Sequence, residues 1–296
     1  MASKFLKMIF ILGVLFLTSF LLSKNFNAID FSDKIVFVPV KGTIVSSTSD
    51  GIFEEEQATS SGVISYLTRA ENDNTIKVII LEINSPGGEA LASKEIVEKV
   101  KKVEKPVVAW IRDTGASGAY WIASASDSII ADELSVTGSI GVLGSYLQFE
   151  GLFEKYGVKY ERLVGGKYKD LGSPYKELNE EERKKMQEKI DMIHKIFSDD
   201  VSKNRKKDLS KYSNGEFFLG LEAKEIGLID HLGGREKAIE VGKKLAGIEK
   251  ARTVVFKQKK SFFSSIDKYF TKYSYFIGKG IFSSVSVKNE GFEINT

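Results

Sequence analysis

The run "IKVIILEI", residues 76–83, constrains the fold more than any other segment of the chain. A strand with one wet face alternates polar and apolar residues, whereas here the aliphatic run from Val78 to Leu81 is unbroken, as in a strand buried on both faces of a sheet. The run stops at "NSPGGEA", and "LASKEIVEKVKKVEK" follows with helical periodicity until Pro106. "PVVAWI" then reads as a strand, "ASGAYWIASA" as a helix, "DSIIAD" as a strand, and "KYERLV" as one more strand before a glycine-rich loop. Upstream, "KIVFVPVKGTIV" reads as strand, turn and strand, and "GVISYLTRAEN" as a short amphipathic helix. Such alternation predicts a sheet with crossover helices, an α/β layered domain over residues 35–250.

Two further helices complete that domain. The charged stretch from about Asn179 to Lys207 carries Met186, Ile190, Ile193, Ile196 and Phe197 at a spacing suited to one amphipathic helix with a narrow buried stripe. "REKAIEVGKKLAG" closes the folded body.

The two ends differ from the body. Lys4 and Lys7 precede "MIFILGVLFLTSFLL", and residues 5–23 are expected to form a retained transmembrane anchor, with 24–34 as a linker. A cleaved signal peptide competes with that reading, but "SKNFNAIDF" offers no small-x-small cleavage site at the expected distance. The positive flank is the short N-terminal one, so the N-terminus is expected in the cytoplasm and the body on the outer, periplasmic or extracellular, side. Residues 251–296 shift to Phe, Tyr, Ser and Lys, too polar to span a bilayer, and read as a surface-lying helix or a poorly ordered tail.

Composition narrows the chemistry. The chain has no cysteine and two histidines, His194 and His231, which removes thiolate chemistry and makes a multi-histidine metal site improbable. No metal or organic cofactor is expected. With 43 basic and 40 acidic residues and no long basic block, nucleic acid is not an expected partner. Catalysis has to come from Ser, Thr, Lys, Asp, Glu or the backbone.

Two consecutive strand-to-helix turns lie where α/β sheets present ligand sites. In "INSPGGEA", Pro86 fixes the turn while Gly87 and Gly88 leave the backbone amides open to an anion or oxyanion. In "TGASGAYW", Ser117 stands between Ala116 and Gly118 at a helix N-terminus, where peptide dipoles favour negative charge. A serine there is commonly a helix cap, and a glycine pair is commonly just a turn. Together, though, the turns supply both a nucleophile and oxyanion donors, the parts of an acyl-transfer site. Neither histidine sits in a suggestive setting as a base. The loop "VGGKYKDLGSP", residues 164–174, offers Lys167 or Lys169 instead. A lysine serves as a general base only when its pKa falls from about 10.4 to near 7, a demand of roughly 4 to 5 kcal/mol that burial against apolar walls can meet.

Read in order, "NSPGG", "ASGAYW", "TGSIGV" and "GGKYKDLGSP" make the chain resemble the signal peptide peptidase A family, in its short bacterial form. The resemblance covers the N-terminal anchor and roughly residues 35–245. It implies a Ser-Lys serine protease of ClpP/crotonase-type fold, with Ser117 as nucleophile, Lys169 as general base, Gly88 and Gly118 as oxyanion donors, and Ser139 orienting the lysine. Lys167 falls outside the matched position. The resemblance also implies a homo-oligomer in which the lysine reaches a neighbour's serine, and apolar peptide substrates such as signal-peptide remnants left in the membrane. Related membrane proteases serve stomatin-like partners or quality control, and these motifs do not separate them. More distant alternatives are a crotonase-type acyl-CoA enzyme, which would place carboxylates in the pocket, and a non-catalytic membrane scaffold, which would tolerate loss of the dyad.

Overall fold

The computed structural model describes residues 2–26, 32–47 and 56–256, with side chains only for 7–20 in the first stretch. Along the body the elements are β1 (Lys34–Lys41), β2 (Thr43–Val45), β3 (Gln57–Thr59), α2 (Ser60–Asn72), β4 (Ile76–Ser85), α3 (Ala90–Lys102), β5 (Val107–Ala116) and α4 (Gly118–Ser124). They continue as β6 (Ser128–Ala131), β7 (Val136–Gly138), α5 (Glu150–Lys155), α6 (Glu180–Arg205), β8 (Phe217–Leu219), α7 (Gly220–Ile226), β9 (His231–Leu232), α8 (Arg235–Ala246) and β10 (Arg252–Val255). A helix α1 (Ala2–Phe26) precedes them.

The main sheet has the order β10-β1-β4-β5-β6-β9, with β7 paired to β5 and β8 to β7. All its pairings are parallel except β7 with β8. Helices cover both faces, which is what the aliphatic run demands. Ile79, Leu81 and Ile83 of β4 enter one core with residues of α2, α3, α4, α6 and α7, while Val78 and Ile80 enter a second core with Ala238 and Val241 of α8. Each such buried aliphatic side chain is worth about 1.5–3 kcal/mol.

Three expectations are corrected. "KYERLV" is not a strand: residues 159–164 have no regular structure, and Leu163 is 94% exposed. A strand requires partners for its N–H and C=O groups, and among the described residues nothing pairs with this segment. The expected stripe of α6 is only partly buried: Phe197 enters the core, Met186 and Ile190 are half-buried, Ile193 and Ile196 stay exposed, and Val201, outside that stripe, is buried as well. The folded unit also runs past 250, to Phe256. There β10 pairs with β1, and Phe256 is buried beneath the Arg69 guanidinium and beside Tyr66.

Helix α1 has 25 residues, about 37 Å at the α-helical rise, and its large apolar side chains from Met8 to Phe20 are exposed. Among the described residues no helix is long and apolar enough to cross a membrane. The expected anchor, residues 5–23, lies partly outside the residues whose side chains are described. Residues 27–31 of the linker and the tail beyond 256 also lie outside the described residues.

Candidate active site

The site grows from the C-terminal ends of β4 and β5. After β4 the chain turns through Pro86, Gly87 and Gly88, with Glu89 as the N-cap of α3. Gly87 has φ +100°, and a Cβ there would lie 2.8 Å from both the Gly118 nitrogen and Ser117 Cβ, so only glycine fits. The turn is held on β2: the Ile44 N–H donates to the Gly87 carbonyl at 2.9 Å, and the Glu89 N–H donates to the Ile44 carbonyl at 2.8 Å. Because a trans peptide points its C=O and N–H in opposite directions, fixing the Gly87 carbonyl on Ile44 turns the Gly88 N–H away from β2. The Glu89 carboxylate reinforces the turn by accepting from the Ser46 N–H at 2.8 Å and from the Ser46 hydroxyl. Those two bonds hold the Glu89 pKa below the ordinary carboxylate value.

At the end of β5, Ser117 adopts φ 54°, ψ −126°, outside the conformations that L-residues ordinarily occupy. Such backbone costs of order 1–3 kcal/mol and persists only where its surroundings enforce it. Here the enforcement is visible. The Ser117 N–H donates to the Gly138 carbonyl at 2.9 Å, and its carbonyl accepts from the Trp121 N–H at 3.0 Å. The side chain makes no capping bond, so the half-buried Oγ is not spent on the helix.

The helix that follows is buried at every residue of α4. The Tyr120 hydroxyl donates to the Leu228 carbonyl at 2.8 Å, and burial pushes that phenol's pKa up. The Trp121 indole N–H donates to Asp200 of α6 at 2.7 Å, and its ring stacks on Phe197 with centroids 4.7 Å apart. Burial alone would raise the Asp200 pKa, but hydrogen bonds from Lys101 and Trp121 outweigh it and hold the carboxyl below its ordinary value.

The two turns meet at Gly118. A Cβ on Gly118 would lie 2.3 Å from Oγ of the fully buried Ser93 and 3.5 Å from the Gly88 nitrogen. As a first-turn amide, the Gly118 N–H has no partner within its own helix. Ser139 joins the same cluster through β7, which pairs with β5 and ends at Gly138, the residue that accepts from Ser117. Ser139 has φ 50° and donates its N–H to the Glu216 carbonyl at 2.7 Å. Ser117, Gly118, Gly88 and Ser139 are thus brought together at the ends of three parallel strands, β4, β5 and β7.

Lys169 is not brought to them within one chain. It is exposed, in a series of turns from Gly166 to Ser173, and no hydrogen bond joins it to Ser117. Lys167 is committed elsewhere. Its ammonium donates to Glu181 at 2.6 Å, which raises its pKa and disqualifies it as a neutral base. Neither histidine bonds to Ser117: His194 Nε2 lies 3.3 Å from the Ile140 carbonyl, and His231 belongs to β9.

The sequence profile of Peptidase family S49 matches residues 99–249, and that of Clp protease matches 50–130. A Methanocaldococcus jannaschii protein provisionally named as a protease is 34% identical over 239 residues, covering 78% of this chain and 76% of its own. The chain belongs to peptidase family S49. Within that family, an Enterococcus faecium protein provisionally named signal peptide peptidase SppA is 35% identical, covering 78% of this chain and 69% of its own. Protease 4 of Haemophilus influenzae is 35% identical over 72% of this chain and 35% of its own. The fold is also that of a solved 1510-N membrane-bound stomatin-specific protease, with TM-score 0.52 at 15% identity, covering 77% of this chain and 99% of that one.

This S49 peptidase is therefore a serine-type protease with a ClpP-like mixed α/β fold, as the motifs implied. Several supports of its site are absent from the sequence reading. The Glu89–Ser46 link, the wall formed by Ser93 and the Trp121–Asp200 bond all join residues far apart in sequence. One local signal was legible: "NEEE" at 179–182 has the N-x-x-E spacing of a capping box, and Asn179 and Glu182 form one at the start of α6.

Proposed function

We propose that the chain is a membrane-anchored endopeptidase with a Ser117–Lys169 dyad, degrading signal peptides left in the membrane after preprotein processing. In this reading Ser117 Oγ attacks the peptide carbonyl while neutral Lys169 takes its proton, and the Gly88 and Gly118 N–H groups bind the tetrahedral oxyanion. Protonated Lys169 then donates to the leaving amine and later activates water, with Ser139 orienting the amine. The observation that carries the reading is Ser117: strained backbone, an uncommitted hydroxyl and two adjacent turns of amides, with no histidine bonded to it.

The exposure of Lys169 argues for an assembly. A lysine in water does not lose its proton near neutrality, so a second copy of the chain would have to supply the dry surroundings that the base requires. A homo-oligomer with sites shared between subunits meets that need. The apolar run from Met8 to Leu22 supports the anchor, and the lysines that precede it support a cytoplasmic N-terminus with the peptidase body outside. A second reading, a protease acting on a stomatin-like partner, is suggested by the name of the fold neighbour.

The test uses the full chain in detergent or bilayers with an apolar signal-peptide substrate, comparing Ser117→Ala and Lys169→Ala. Each substitution is expected to lower kcat by about 10³-fold or more, and wild-type activity to rise with pH near neutrality. Full activity in Lys169→Ala would refute the dyad. Cleavage confined to a stomatin-derived peptide would favour the second reading.

A further inference from the structure

The loop carrying Lys169 has no sheet partner and is built from successive turns, with Gly165, Gly166 and Gly172 leaving its backbone permissive. Its position is set instead by side-chain charge. Arg162 grips Asp170 with two hydrogen bonds, Nε to Oδ2 and Nη2 to Oδ1, the second at 2.9 Å. Lys176 approaches the same carboxylate at 3.7 Å and also pairs with Glu182, whose side chain is 5% exposed. Glu182 in turn belongs to the capping box of α6: its N–H donates to Asn179 Oδ1 at 2.9 Å, and its carboxylate accepts from the Asn179 N–H.

A second set of tethers lies alongside. Lys167 and the Tyr168 hydroxyl both bond to Glu181, and Lys185 sits over the Tyr168 ring at 4.7 Å. The residues flanking Lys169 are therefore fastened to the first turns of α6, while Lys169 itself is left free. Further along the same helix, Phe197 and Asp200 hold Trp121 of the nucleophile helix. One helix thus supports both halves of the site.

We propose that Asp170, gripped by Arg162 and linked through Lys176 and Glu182 to the start of α6, is a positioning residue that presents Lys169 in the geometry its base role requires. The inference rests on the reading of Lys169 as the base. Charge pairing suits the task, because a loop that docks against a second subunit needs a defined shape before it gains an apolar surround. The hydrogen bonds from Arg162 hold the Asp170 pKa down at about 2. A depressed carboxylate contributes only where it is ionised, and this contribution is lost as pH falls through about 2. The grip therefore stays constant across the neutral range, and changes of activity there report on the base.

The experiment compares Asp170→Asn, Arg162→Met and Lys169→Ala in the full chain, measuring kcat, KM and the pH profile of kcat/KM on one apolar peptide. Asp170→Asn is expected to lower kcat about 10- to 100-fold, leave KM within about 3-fold, and move the rising limb of the profile to higher pH, since a misplaced amine is less well desolvated. Arg162→Met should do the same more weakly, and decides the matter if Asp170→Asn does not fold. An inactive Lys169→Ala beside Asp170 and Arg162 variants with wild-type kcat and profile would overturn the positioning role alone. A fall in kcat with an unmoved limb would also overturn it, as the mark of a merely structural residue. Full activity in Lys169→Ala would instead overturn the dyad reading beneath it.

Discussion

The turn that carries Ser117 and the loop that carries Lys169 are built by opposite means. The first lies between a sheet strand and a wholly buried helix, its strained backbone held by main-chain hydrogen bonds and by packing on α6. The second lies at the surface with no sheet pairing, and is held by the chain of charges from Arg162 to Glu182. The contrast teaches how the labour is divided. An oxyanion site needs amides fixed in advance of the reaction, which a rigid core provides. A lysine base needs desolvation, and an exposed, charge-shaped loop can receive that from another copy of the chain.

The sharpest way to break the contrast is to disturb the rigid half by one methyl group. In Gly118→Ala the new Cβ would stand 2.3 Å from Ser93 Oγ, and Ser93 is fully buried with its hydroxyl bonded to the Glu89 carbonyl. Either the Ser93 hydroxyl leaves the Glu89 carbonyl and loosens that turn, or the Gly118 amide shifts. A loss of kcat of about 10²- to 10³-fold is expected, comparable to removing one oxyanion donor, and pairing the change with Ser93→Gly should restore part of it. Wild-type kcat in Gly118→Ala would mean that the turn is softer than described.

A smaller effect is expected from the support behind Ser117. Asp200→Ala leaves the buried Trp121 indole N–H and Lys101 without their partner. Thermal or denaturant unfolding should show a loss of about 1–3 kcal/mol. The rate should fall less than in Gly118→Ala, because the Trp121–Phe197 stack remains. In the wild type the Asp200 contribution is present above the pKa of an unfolded aspartate and fades as pH falls through its depressed folded value.

The rigid half was also the legible half. "IKVIILEI" could only be a strand covered on both faces, and the glycines at 87, 88 and 118 marked where backbone amides stay open. Those are local consequences of side-chain size and hydrophobicity. "KYERLV" was misread because its composition suits a strand, whereas strand formation depends on a partner that sequence does not reveal. The exposed Ile193 and Ile196 of α6 present the same problem: their spacing signals burial, but not against what. The Arg162–Asp170 pair was invisible because closing the loop, rather than any periodicity, brings the two together. What eluded the sequence is the charge-built region, where contacts depend on how separate segments meet.

The central claim is that a loop exposed in one chain supplies the base for a serine held in another. Mixing full-length Ser117→Ala and Lys169→Ala chains, dissociated and reassembled together, tests it most directly. Each variant alone is expected to be inactive toward an apolar peptide, and the co-assembled mixture should recover a substantial fraction of wild-type activity, because some sites then pair an intact serine with an intact lysine. A co-assembled mixture as inactive as either variant alone would contradict the account.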